Sequence, residues 1–135
     1  MQVKDGMSAV SVTVGPSHTL RAAAAMMVEK NTGAALVSDH DSPAPGIVTE
    51  RDLLLSVGAG EDPDVELVAD HMTESVIAAA PDWSLEHAAA EMSRRGVRHL
   101  VVFEQGDAIG VLSMRDIVRV WTSEGATSEM EALKR

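Results

Sequence analysis

The amino-acid sequence predicts a mixed α/β (α+β) chain built from two like units, each reading β-α-β-β-α. Three observations predict it. The stretch GIVTERD (Gly46 to Asp52) returns as GVLSMRD (Gly110 to Asp116), 64 residues further on. The opening tetrad Asp5-Gly6-Met7-Ser8 returns as Asp70-His71-Met72-Thr73, at an offset of 65. Between opener and motif, each copy passes from a helical apolar stripe to two short aliphatic runs.

The elements follow from local chemistry. A short extended piece (Val10 to Val14; Val76 to Ala78) leads through Pro16 or Pro81 towards a helix. Thr19 and Ser84 are N-caps, and Leu20, Ala23, Ala24 and Met27 recur at helical spacing. Gly33 and Gly96 supply the stop signal. Two aliphatic runs come next in each unit: Ala34 to Val37 and Gly46 to Val48, then Leu100 to Phe103 and Ala108 to Leu112. Gln105-Gly106-Asp107 is a hairpin turn, whereas the two prolines between Asp39 and Pro45 argue for a loop. Closing helices are expected over Leu53 to Val57 and from Ile117 to about Trp121. The resulting division is repeat 1 over 1–60, a linker over 61–66, repeat 2 over 67–124 and a tail over 125–135.

Composition bounds the function. The chain has 135 residues, 45% of them hydrophobic and 2% aromatic, so its core is aliphatic and methionine-rich. A net charge of −10 repels phosphate backbones and anionic surfaces, which argues against nucleic acid and membranes as partners. There is no cysteine, so there is no disulfide, thiolate metal site or thiol nucleophile. The N-terminal stretch lacks a secretory pattern, and no apolar run approaches the ~20 residues of a membrane helix. A cytoplasmic location is the expectation.

Thr49-x-x-Asp52 and Ser113-x-x-Asp116 sit where a strand turns into a helix. A hydroxyl at the N-cap with an acid three residues later makes a capping box, and on that reading Arg51 and Arg115 are surface residues. The preceding glycine and two aliphatics also recur, which a bare cap does not require. A strand feeding a helix N-terminus is in addition a ready anion site. There the hydroxyl can donate to a phosphate oxygen, the carboxylate can accept from ribose hydroxyls, and the glycine leaves room for close approach.

The pattern G-h-h-[ST]-x-x-D twice, with D-x-M-[ST] opening each repeat, resembles the tandem cystathionine-beta-synthase (CBS) domain pair, or Bateman module, over about Val3 to Trp121. The resemblance implies two pseudo-symmetric β-α-β-β-α repeats packed sheet to sheet, with two clefts, dimerising into a disc. It also implies an adenosine nucleotide (AMP, ADP or ATP) as regulatory ligand, with no required cofactor. By the same resemblance Ser113 and Asp116 hold phosphate and ribose, with Arg98 and His99 reaching the phosphates and Arg115 in the same motif. Thr49 and Asp52 are the first-repeat counterparts. Val12 and Thr13 are expected to line the Asp116 cleft, and Ile77 and Ala78 the other. The first repeat has Gly33-Ala34 where the second has Arg98-His99, so phosphate is better matched at Asp116.

S-adenosylmethionine or a cyclic dinucleotide are alternative ligands, and a ligand-free dimeric scaffold is the alternative function. The expected partners are a second copy of the chain and an unidentified protein. No P-loop, G-x-S-x-G or catalytic triad spacing is present, so catalysis is not expected. His87 and Glu91 share a helix face, but no third ligand accompanies them, and no metal site is assigned. Met26, Met27 and Met92 read as core filler, and Trp83 and Trp121 as core edges or dimer contacts.

Overall fold

The computed structural model describes residues 1–10, 12–39 and 42–123. The tail expected over 125–135 lies outside these. In chain order the elements are α1 (Val3–Gly6), β1 (Ser8–Ala9), β2 (Thr13–Val14), α2 (Leu20–Glu29), β3 (Ala34–Asp39), β4 (Ser42–Thr49) and α3 (Glu50–Gly58). A single 3₁₀ turn (Val68–Asp70) follows, then β5 (Ala78–Ala79), α4 (Leu85–Arg95), β6 (His99–Glu104), β7 (Asp107–Ser113) and α5 (Met114–Trp121). The β-α-β-β-α order read from the sequence is present in both copies. Among the described residues no helix is long and apolar enough to cross a membrane.

The chain divides into two compact units, cut differently from the sequence repeats. One joins Met1–Ala9 to the chain from Ile77 onward, and the other is Val10–Val76. Each unit therefore combines the body of one repeat with the opening tetrad of the other.

In the unit Val10–Val76 the sheet order is β2-β3-β4, with β2 parallel and β4 antiparallel to β3. Thr19 caps α2 by accepting the Ala22 N–H at 3.1 Å. Leu20, Ala23 and Met27 are buried from that helix against Val12, Val14, Val37 and Val48. The helix stops at Glu29, earlier than Gly33, because Asn31 takes the left-handed turn at φ 53°. The loop expected around the two prolines is strand instead. Strand β4 is an edge strand, where a missing proline N–H breaks no ladder bond, and the pairing shifts register between Val37 and Asp39.

In the other unit the sheet order is β1-β7-β6-β5. Ser84 caps α4 through the His87 N–H at 3.0 Å, and Gly96 ends it at φ 67°. The hairpin turn between β6 and β7 is as expected, with Gln105 and Gly106 at φ 52° and 84°, matching the strand twist. Val3, Ala88, Met92, Leu100, Val102 and Leu112 form an aliphatic core. Trp83 packs on its edge, whereas Trp121 is 61% exposed. Met92 and Met27 are buried, but Met26 is on the surface at 36% and is not core filler. Both closing helices begin at once after their caps, three residues earlier than the apolar pattern suggested, because the capping box supplies the first turn.

Candidate functional site

Both motifs form complete capping boxes. The Thr49 N–H donates to Asp52 Oδ2 at 2.8 Å, and the Asp52 N–H donates to Thr49 Oγ1 at 3.4 Å. The Ser113 N–H donates to Asp116 Oδ2 at 2.9 Å, and the Asp116 N–H donates to Ser113 Oγ at 3.0 Å. The second carboxylate oxygen of Asp116 receives a long 3.4 Å contact from Arg119 Nη2, a solvent-facing pair of small energetic weight. Arg119 Nη2 also donates to the Gly6 carbonyl at 3.3 Å, tying α5 to the opener.

The recurrent glycines are explained by the openers. A Cβ on Gly110 would lie 2.8 Å from the Ser8 carbonyl oxygen and 2.9 Å from Met7 Sδ. One on Gly46 would lie 2.9 Å from the Thr73 oxygen and 3.4 Å from Met72 Sδ. Strand β1 pairs Ser8 with Val111 and Ala9 with Gly110, while Thr73 and Ile47 exchange both backbone hydrogen bonds at 2.8 and 3.0 Å. The D-x-M-[ST] tetrad and the motif glycine are two halves of one contact. The close approach that each glycine permits is taken by the opener's backbone carbonyl and methionine, where a ligand was expected.

The residues predicted around Asp116 are brought together within one unit. His99 and Ser113 are cross-strand partners, and the Met114 N–H donates to the Arg98 carbonyl at 2.9 Å. Arg98 is exposed, His99 and Asp116 are half-buried, and Arg115 is exposed on the first turn of α5. The first repeat copies this backbone with different side chains. Ala34 pairs with Thr49, and the Glu50 N–H donates to the Gly33 carbonyl at 2.9 Å. The Glu50 carboxylate lies over Gly33, 3.1 Å from where a Cβ would stand. Thus one strand-to-helix junction carries Arg98 and His99, and its counterpart carries a glycine, an alanine and an acid. The missing Arg and His are visible in the sequence, whereas Glu50 reads there as an ordinary first-turn residue.

The remaining expected residues lie as follows. Val12 is buried in the core of the unit Val10–Val76, and Thr13 is exposed on β2. Ile77 packs against the core of the other unit, and Ala78 is exposed on β5 beside Val101. His87 does not meet Glu91: it stands edge-on to Trp83 at 4.3 Å. Glu91 instead takes Arg94 at 2.8 Å and Arg95 at 3.1 Å, and these guanidinium partners hold its carboxyl below the usual range. Arg21 and Asp64 form a further ion pair, which raises the arginine.

Two α/β copies, each ending a strand in a hydroxyl-acid cap at a helix N-terminus, define a tandem-repeat protein with two related junctions. The chain belongs to the CBS domain family, whose model matches residues 3–58 and 68–123, so it is a tandem CBS pair. It is 33% identical over 125 residues to the uncharacterized protein MK0525 of Methanopyrus kandleri, covering 91% of this chain but 64% of that protein, just under two thirds of its length. Among solved structures, it resembles a hexameric CBS-CP12 protein from bloom-forming cyanobacteria at TM-score 0.84 and 26% identity, covering 98% of this chain and 82% of that one. A Burkholderia ambifaria protein described as a putative signal-transduction protein with CBS domains matches at TM-score 0.77 and 33% identity, covering 87% of each chain.

Proposed function

We propose that the chain is a regulatory CBS pair that binds an adenosine nucleotide (AMP, ADP or ATP) chiefly at the Ser113–Asp116 junction and thereby modulates a partner protein. The observation that carries this reading is the contrast between the junctions. Arg98 and His99 flank Ser113, whereas Gly33, Ala34 and the Glu50 carboxylate flank Thr49. Phosphate gains charge-assisted donors at the first and meets a like charge at the second.

At Asp116 the roles divide cleanly. Oδ2 is held by the Ser113 N–H, which orients the carboxylate, and Oδ1 can exchange its long Arg119 contact for ribose hydroxyls. The Ser113 hydroxyl accepts from the Asp116 N–H and keeps its own proton for a phosphate oxygen. The chain works as a homodimer: Leu54, Leu55 and Val57 on α3 and Val118 and Trp121 on α5 are exposed apolar residues suited to self-association. Ligand binding alters partner engagement to the extent that it favours one arrangement of the assembly.

The second reading is a ligand-free scaffold, favoured by the completeness of both capping boxes. Thermal unfolding with AMP, ADP, ATP, S-adenosylmethionine, cyclic di-AMP and a magnesium control separates the two. A nucleotide at ~100 times its Kd adds ~2.7 kcal/mol, a midpoint rise of several degrees. The rise should vanish in Asp116→Ala and persist in Asp52→Ala. No rise with any compound, together with a loss of ~1 kcal/mol in both variants, would leave the caps as the whole function of the motifs.

A further inference from the structure

We infer that Glu61, Glu66 and His71 form a binding site for a divalent transition-metal cation of the zinc class. One ligand atom from each of the three side chains lies within 4.8 Å of the others. His71 Nε2 is 2.8 Å from Glu66 Oε1. Two atoms bound to one tetrahedral zinc at ~2.0–2.2 Å stand roughly 3.4 Å apart, so the widest separations need to close by only about 1 Å, while the ion replaces the His71–Glu66 hydrogen bond as that pair opens slightly. One imidazole and two carboxylates are a donor set that zinc accepts, and the imidazole disfavours magnesium and calcium, which take oxygen ligands. The charge matches as well, since two carboxylates beside a neutral imidazole balance one divalent ion.

The site is held by the fold. The side chains of His71 and Glu66 are only 16% and 26% exposed, so both are partly withdrawn from water, while exposed Glu61 leaves an open approach. The Glu61 N–H is bonded to the Ser56 carbonyl at the end of α3, and the Glu66 carbonyl accepts the Leu20 N–H at the start of α2. His71 closes the 3₁₀ turn through the Val68 carbonyl. These anchors place the three ligands on separate short segments of the unit Val10–Val76. The residue after His71 is Met72, which abuts Gly46. A bound ion therefore clips the second opener to the segment between the repeats, and holds Met72 and Thr73 on the strand that leads to Thr49.

The trio escapes a motif search because its members stand five residues apart, on no common helix face. The test is titration of the EDTA-stripped full chain with ZnCl2, followed by calorimetry and by thermal unfolding, with MgCl2 as control. One zinc per chain is expected, with a raised unfolding midpoint and no response to magnesium. His71→Ala and Glu66→Gln should each weaken binding by about tenfold or more, with His87→Ala and His18→Ala unchanged. Should a variant misfold, histidine-ring NMR of the unmodified chain decides: at one equivalent of zinc the His71 ring signals move and those of His18 and His87 do not. Absence of saturable zinc binding, undiminished binding by a folded His71→Ala, or an unmoved His71 ring each overturns the site.

Discussion

Replacing Gly110 by alanine tests the pairing of opener and motif most directly. The new methyl would stand 2.8 Å from the Ser8 carbonyl oxygen, 2.9 Å from Met7 Sδ and 3.3 Å from Met7 Cγ. The methionine can swing aside, but the carbonyl belongs to β1, and the segment leading into that strand is fixed. Val3 and Lys4 donate to the Trp83 and Pro81 carbonyls at 2.8 and 3.0 Å, and the Val3 side chain is fully buried. The strain is therefore that of an overpacked core, about 1–3 kcal/mol. For a chain of 135 residues, an unfolding entropy of ~2.1 cal/mol/K per residue converts this to a drop of about 3–10 °C.

Thermal unfolding followed by circular dichroism reads the drop. Gly58→Ala is the control, because among the described residues nothing lies within 4 Å of its Cβ position, and alanine there should be neutral or stabilise by up to about 1 kcal/mol. Gly46→Ala should also destabilise, at 2.9 Å from the Thr73 oxygen, but less, since a lone bridge yields more readily than a strand pair. A Gly110→Ala midpoint within about 1 °C of the unmodified chain would refute the close-approach account.

Ser56 is 2% exposed on α3, and its hydroxyl has no hydrogen-bond partner among the described residues, so Ser56→Ala should stabilise by about 1 kcal/mol in denaturant unfolding. The Glu91 carboxyl is depressed by Arg94 and then Arg95, so its contribution is present above the ordinary glutamate value and is lost as pH falls through the lower folded value. The stability gap between the unmodified chain and Glu91→Gln should therefore be widest near neutrality and close below pH ~4, with acid unfolding curves as the readout.

The architecture was legible because both repeats carry the same local signals, hydroxyl caps at Thr19 and Ser84 and helical stripes, and the second adds a Gln-Gly turn. Misreadings came where tertiary context decided. Two prolines in β4 looked like a loop, yet an edge strand tolerates them. Gly33 looked like a helix stop, yet Asn31 took the left-handed turn and Gly33 is needed beneath Glu50. The exchange of openers between units was hidden for a different reason: a repeat shows which segments correspond, not which ones pack. The cluster of Arg98, His99, Ser113 and Asp116 was legible from the motif and its upstream stretch. Its acidic counterpart at Glu50 was not, because the hydrogen bond joining Glu50 to Gly33 links residues far apart in sequence.

The divergence of the two junctions can be tested by moving one onto the other. The backbones already agree, with Glu50 bonded to Gly33 as Met114 is to Arg98, both at 2.9 Å. Gly33 has an ordinary φ, and the atoms nearest to a Cβ built there are those of the Glu50 carboxylate, at 3.1 Å. The triple variant Gly33→Arg, Ala34→His, Glu50→Met removes that negative charge, replaces it with the flexible residue the second repeat carries at Met114, and installs the donors of the second repeat beside Thr49 and Asp52. Loss of an acid from the first turn of α3 costs about 0.3–1 kcal/mol, which the fold can bear. If local charge is what separates the junctions, calorimetric titration with the best nucleotide should rise from one dominant site per chain to two. The added site should disappear on Asp52→Ala, while Asp116→Ala should remove only the original one. A stoichiometry that stays at one in the folded triple variant would mean that something other than Arg98, His99 and the absent acid selects the Asp116 junction.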